Sequence, residues 1–159
     1  LDTGDIVVST LHREIRIVGR AKETIVLRGG ENIEPVPIEN ACMQSEYVDQ
    51  IVVLGQDQKF IAALVVPNFK NVEEKSKEMG IPYMDIEDLL ANPQVYSMVY
   101  SNINDIVSAK NGFKNYEKIF RICLLSKPFT VGDELTNILK VKRDVINRKY
   151  RSQIAKLFK

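Results

Sequence analysis

The chain has a single histidine, His12. A histidine-rich metal site is thereby excluded, and a serine–histidine triad would have to rest on His12 alone. His12 falls between two strand candidates and reads as a turn residue. Cysteine is equally scarce. Cys42 and Cys123 sit in unrelated apolar settings and make neither a disulfide framework nor a zinc pattern. Both read as buried free thiols in a reducing compartment. Long apolar runs are absent too: the longest, ending at Val66, is far too short to cross a bilayer. No signal peptide is visible in the polar opening Leu1-Asp2-Thr3-Gly4-Asp5, and the chain does not start with Met. The expectation is a cytoplasmic chain that is a piece of a longer protein.

What is present is ordinary for a folded domain. Of 159 residues, 45% are apolar and 27% charged, enough for one domain with its own core. The net charge of +1 hides an asymmetry. Residues 140–159 hold eight Lys or Arg and one acid, Asp144, so they carry +7 and the remainder carries −6. Such a stretch suits nucleic acid, an anionic membrane or a phosphate-bearing ligand, and equally the solvated face of a terminal helix. No nucleic-acid motif accompanies it, and aromatics are not interleaved with the basic residues as base stacking requires, so no nucleic-acid partner is expected.

Hydrophobic patterning predicts an α+β fold: a small two-stranded entry hairpin, then a mainly antiparallel three-stranded sheet flanked by helices. Ile6–Val8 and Glu14–Val18 read as short strands, and Thr24–Leu27 as a third β-rich run ended by Gly29-Gly30. Pro35 and Pro37 open a helix expected to reach about Tyr47. The near-continuous apolar runs at 51–54 and 60–66 read as buried strands joined by the connector at 55–59. Asn68–Met79 reads as a polar helix stopped by Gly80. Asn92-Pro93 starts a third helix, whose apolar face is Val95, Val99, Ile103, Ile106 and Val107. Lys118–Leu125 returns to strand. Val141–Phe158 closes as one helix, with Ile146, Tyr150, Ile154 and Phe158 on one face.

Three places could bear chemistry. In Thr3-Gly4-Asp5, an ionised Asp on a tight turn can accept hydrogen bonds from two neighbouring hydroxyls, as a ribose supplies; a lone Gly-Asp is otherwise a plain turn. Gly19-Arg20-Ala21-Lys22 and Arg28-Gly29-Gly30-Glu31-Asn32-Ile33 offer glycines that let backbone approach a ligand, or simply turn the chain. Their spacing fits neither the Walker nor the dinucleotide fingerprint. The stretch Leu135 to Arg143 offers Lys and Arg that can neutralise a phosphate or carboxylate, or merely start a basic helix.

In this order and spacing, those segments resemble one family. Thr3-Gly4-Asp5, Ile17-Val18-Gly19-Arg20 and Gly29-Gly30-Glu31-Asn32-Ile33-Glu34-Pro35 with Ile38-Glu39 are similar to the core sequence of adenylate-forming acyl-CoA synthetases. Phe60 to Pro67 and Leu135-Thr136 through Lys142-Arg143 resemble the long-chain fatty acid branch. The resemblance covers essentially the whole chain, most loosely over residues 68–118.

The resemblance implies the C-terminal domain of an AMP-forming, long-chain fatty acid–CoA ligase. Residues 1–20 would be an entry segment from a preceding N-terminal domain and hinge, and residues 21–159 the mobile C-terminal domain. The parent would use ATP, CoA and Mg2+, with fatty acid and its own N-terminal domain as partners. The isolated piece would be inactive. By the same resemblance Asp5 binds the ribose hydroxyls, Arg20 contacts the nucleotide, Lys22 is the hinge, and Gly29 with Gly30 lies beside the pantetheine arm of CoA. No residue is expected to bind metal. Many relatives carry an adenylation lysine in Gly-Lys-x-x-x-Arg, which here falls on Ile138. Lys140, two residues on and on the same face of a strand, matches the long-chain branch and is the expected catalytic residue, with Lys142 second. Two alternatives stand beside this: a sibling ligase that passes the acyl group to a carrier protein, and a non-catalytic module bound peripherally to a membrane surface.

Overall fold

A computed structural model describes residues 23–159 in full, together with the backbone of two strands before them, β1 (Asp5–Ser9) and β2 (Ile15–Arg20). These two pair antiparallel, with Asp5 opposite Arg20 and a bulge between Ile6 and Val7. They form the expected entry hairpin. His12 lies outside the described residues.

The main body is built on the sheet β5 (Val48–Leu54), β6 (Ile61–Pro67) and β7 (Ile119–Leu124), in the order β5-β6-β7. Every residue of β6 is buried. The unbroken apolar run has a simple cause: both faces of this sheet are covered, so neither alternate set of side chains meets water. Ile51, Val53, Ile61, Ala63 and Val65 point into one core with Ile38, Val72, Val95, Val99 and Ile103. Val52, Leu54, Ala62, Leu64 and Val66 point into a second core with Phe129, Leu135, Ile146, Tyr150 and Leu157.

The first core is roofed by α1 (Pro35–Cys42), α2 (Phe69–Glu78), α3 (Ile86–Ala91) and α4 (Pro93–Ile106). Side chains cap three of these helices: Asn68 accepts from Asn71 N, Asp85 from Asp88 N and Asn92 from Gln94 N, at 3.1, 2.8 and 2.8 Å. The second core is covered by α5 (Arg143–Lys149) and α6 (Arg151–Leu157). A short two-stranded ladder, β3 (Ile25–Val26) with β4 (Asn32–Ile33), leads into α1.

Three details differ from the sequence reading. First, β7 runs parallel to β6, while β5 is antiparallel to it, so the sheet is mixed. The long connection through α2, α3 and α4 carries the chain back to the starting end of β6, which a parallel pair requires. Second, α1 stops at Cys42 rather than near Tyr47. The Ser45 hydroxyl accepts from Tyr47 N at 3.1 Å, offering the backbone a local alternative to helix. Third, the closing helix is two helices. Tyr150, at φ −104°, separates α5 from α6, because its buried hydroxyl is drawn to Glu134.

Candidate functional site

Lys140 does not lie on a strand. Residues 136–140 form a tight turn bracketed by the isolated bridge between Leu135 and Val141. Leu139 adopts a left-handed φ of 63°. Thr136 N donates to Lys140 O at 2.8 Å, Leu139 N to Thr136 O at 2.9 Å, and Lys140 N to the Thr136 hydroxyl at 3.0 Å. The turn stands in solvent, with Ile138 74% and Leu139 68% exposed. Lys140 is exposed and has no carboxylate partner among the described residues. The same-face relation of Ile138 and Lys140 expected of a strand therefore does not apply. Lys142 is half-buried beside the first residue of α5, further back toward the body of the domain.

Both roots of this loop are tied down. On the far side, Arg143 binds Glu39 of α1 with two parallel bonds, Nη1 to Oε1 at 3.0 Å and Nη2 to Oε2 at 3.1 Å. Glu39 Oε1 also accepts from Val53 N at 2.9 Å, and Arg143 Nη1 reaches Val53 O at 3.4 Å. β5 is an edge strand, and the ion pair satisfies the outward-facing groups of Val53 in place of a further strand. Burial pushes the Glu39 carboxyl above its ordinary range, while the guanidinium opposes that shift.

On the near side, the Glu134 carboxylate is buried. It accepts from Lys149 Nζ at 2.6 Å, Tyr150 OH at 3.0 Å, Thr130 N at 3.0 Å and the Thr130 hydroxyl at 3.2 Å. Burial alone would raise this carboxyl. The bonds from Lys149, the Thr130 backbone and Tyr150 outweigh it and hold the group at about 2. Burial, then the bond to Glu134, pushes the Tyr150 phenol up to about 12. Glu134 O accepts from Lys142 N at 2.7 Å, which joins the two roots. Neither anchor was legible in the sequence beyond the presence of Glu39 and Arg143 in the quoted motifs; Glu134 gave no signal.

Gly29 and Gly30 lie in the exposed turn between β3 and β4, where Gly30 N donates to Leu27 O at 2.9 Å. Gly30 has φ +94°, which L side chains rarely adopt. Gly29 is not in that region. The nearest atoms a Cβ there would meet are at the end of the Glu31 side chain, with Oε2 at 2.6 Å. The turn hangs on the β5–β6 connector: Arg28 N donates to Gln58 O at 2.8 Å, Asp57 N to Val26 O at 3.0 Å, and Val26 N to Gln56 Oε1 at 3.0 Å. The glycine turn and the lysine loop are thus rooted at the same end of β5, one on Gln56–Gln58 and the other on Val53. No hydrogen bond among the described residues joins them directly. Asp5 and Arg20 are backbone partners in the hairpin. Lys22 lies outside the described residues.

Of the two thiols, Cys42 is fully buried and pushed up to about 12 by desolvation and then by Glu39. Cys123 is half-buried and also raised, chiefly by burial.

Residues 22–159 match the family model described as AMP-binding enzyme C-terminal domain. The chain belongs to that family. It is 32% identical over 160 residues to long-chain-fatty-acid–CoA ligase 1 of Cavia porcellus, covering 99% of this chain and 23% of that protein. It is 32% identical over 145 residues to the chloroplastic long-chain-fatty-acid–[acyl-carrier-protein] ligase AEE15 of Arabidopsis thaliana, covering 91% and 18%. The A-PCP didomain of carboxylic acid reductase from Segniliparus rugosus, solved in complex with AMP, superimposes with a TM-score of 0.79 at 26% identity, covering 98% of this chain and 20% of that one. The chain thus spans about a fifth of the length of these curated relatives. The α+β fold and membership in the AMP-binding enzyme C-terminal domain family are established by these matches. Among the described residues, no helix is long and apolar enough to cross a membrane.

Proposed function

We propose that this chain is the C-terminal domain of a long-chain fatty acid–CoA ligase and that Lys140 serves its adenylation step. In that step a fatty acid carboxylate oxygen attacks the α-phosphorus of ATP and pyrophosphate leaves. In the second, the sulfur of CoA attacks the acyl carbon and AMP leaves. The observation that carries the reading is the state of Lys140: an exposed cation without a carboxylate partner among the described residues, on a turn tied to the domain at both roots. A positive charge so presented suits the oxygens on which negative charge must be held during attack on phosphorus.

The remaining assignments follow from the same reading. Asp5 would take the ribose hydroxyls and Arg20 the nucleotide, and their backbones face each other across the hairpin. Residues 1–20 would be the entry segment and 21–159 the mobile domain, turning about Lys22 against an N-terminal domain. Gly29, on an exposed turn, would lie beside the pantetheine arm of CoA. Mg2+ is required by the parent reaction and is assigned to no residue here. The carrier-protein acceptor keeps a specific support, the 32% identity to an acyl-carrier-protein ligase. Peripheral membrane contact is supported less, since two of the eight basic residues after Lys140, counting it, are spent on internal ion pairs, Arg143 and Lys149.

In the full-length parent, Lys140→Ala is expected to slow adenylation about a hundred- to a thousandfold, about 2.7–4 kcal/mol. Thioester formation from supplied acyl-adenylate should be far less affected. If Lys142→Ala carries the defect instead, the assignment of Lys140 is wrong. Turnover with CoA against carrier protein decides the acceptor. The 159 residues alone should form no thioester from ATP, fatty acid and CoA.

A further inference from the structure

We infer that Thr136 and Leu139 are positioning residues for Lys140, and that the shape of their turn governs the adenylation step. This rests on the role proposed for Lys140. Thr136 makes three hydrogen bonds inside the turn. Its N–H donates to Lys140 O at 2.8 Å, its carbonyl accepts from Leu139 N at 2.9 Å, and its hydroxyl accepts from Lys140 N at 3.0 Å. Both backbone polar groups of Lys140 are therefore held by one residue. A lysine ammonium sits on a long flexible stem, so it is aimed only as well as its root is fixed.

Leu139 supplies the second observation. A non-glycine residue at φ 63° is strained and persists only where its surroundings hold it. Packing of its own side chain is not what holds it, because Leu139 is 68% exposed. The Thr136 bonds flank it on both sides and do hold it. Behind them the roots are closed by the Leu135–Val141 bridge and the bond from Lys142 N to Glu134 O at 2.7 Å. A strained exposed turn without a local packing gain, placed one residue before the candidate lysine, fits a backbone shaped for the residue it presents.

The test uses the full-length enzyme that carries this domain, with Thr136→Val, Thr136→Ser, Leu139→Val and Lys140→Ala. Thr136→Val removes the hydroxyl acceptor at nearly constant shape. Leu139→Val keeps the side chain apolar but disfavours the left-handed backbone. Adenylation is read by fatty-acid-dependent pyrophosphate exchange, the thioester step by CoA consumption from preformed acyl-adenylate, and folding by thermal melting. Both valine variants are expected to lose between about tenfold and a hundredfold in adenylation and to stay within about twofold of wild type in the thioester step. Thr136→Ser should retain adenylation. Equal losses in both half-reactions, or losses that follow melting temperature, mean a merely structural role and overturn the inference. Full adenylation in both valine variants, with Lys140→Ala impaired, overturns this inference alone. A Lys140→Ala enzyme without a selective defect removes the reading beneath it. Should Thr136→Val not fold, Leu139→Val decides by the same criteria.

Discussion

Arg143 grips Glu39 with both terminal nitrogens, at 3.0 and 3.1 Å, and so joins two motifs that lie 104 residues apart in the chain. The pair lies against the open edge of β5 and takes up the N–H and C=O of Val53. Its removal therefore does more than delete a charge: it strands the partner and leaves a β-edge unsatisfied.

Glu39→Ala or Arg143→Ala should each destabilise the domain by about 3 kcal/mol, the lower end for a broken buried pair because Arg143 retains some solvent contact. The double variant should lose clearly less than the sum, since neither charge is then left unpaired. Urea unfolding midpoints of the four proteins, at constant m-value, measure this coupling. Strict additivity would mean that the two side chains act independently.

Glu134 makes a prediction in pH. Its native carboxyl lies at about 2 against an ordinary value of 4.5, so the unfolded chain takes up the proton first. The stabilisation it provides is complete above about 4.5 and is lost as pH falls toward about 2. Glu134→Gln should be less stable than wild type at pH 7, because Lys149 and Tyr150 lose an ionised acceptor. The gap between the two proteins should narrow steadily through that acid window. A gap that is constant with pH would show that Glu134 acts by packing rather than by charge.

The thiols should be silent in the native protein. Cys42 is buried and held at about 12, so almost none of it is thiolate at pH 8. Iodoacetamide should leave Cys42 unmodified over hours and label it readily in denaturant, with Cys123 slow but measurable. Peptide mass analysis of the labelled sites checks the order; rapid native labelling at Cys42 would contradict its burial.

Much of the fold was legible because the physics acts locally. The apolar run ending at Val66 reads as a strand buried on both faces, and Asn92-Pro93 reads as a helix start; both hold in the fold. The parallel pairing of β7 was not legible, since it depends on where α2 to α4 carry the chain and not on the residues of β7. The break at Tyr150 was hidden for a similar reason: Tyr150 keeps helical spacing with Ile146 and Ile154, and the partner that pulls it aside, Glu134, is remote in sequence. At the site, the glycine pair announced a turn, but nothing in the residue names says which glycine needs its freedom. The lysine loop was misread as strand because Leu139 is not a residue that signals positive φ. The motif singled out Lys140 as a candidate, while the bonds of Thr136 that shape its surroundings needed three dimensions.

The two adjacent glycines should separate stability from chemistry. Gly30 sits at φ +94° with open space around it, so Gly30→Ala is strained by its backbone alone and should cost more than about 1 kcal/mol. Gly29 carries no such constraint. The nearest atoms its added Cβ meets are at the flexible end of Glu31, which can swing away, so Gly29→Ala should change stability by less than about 0.5 kcal/mol, as surface substitutions usually do. That tolerance makes Gly29 the informative position in the full-length enzyme. Gly29→Leu adds bulk to an exposed turn without forcing its backbone, so any loss of function reports on what must pass close by. If the turn lies beside the pantetheine arm, Gly29→Leu should leave pyrophosphate release largely intact and cripple thioester formation from supplied acyl-adenylate. Lys22→Pro, which fixes φ at the proposed hinge, should also split the two half-reactions, by holding the domain in one pose. Pyrophosphate exchange and CoA consumption, measured separately, give the answer. Equal losses in both for Gly29→Leu, in an enzyme whose melting temperature is unchanged, would mean that the turn serves both steps and is no passage for CoA.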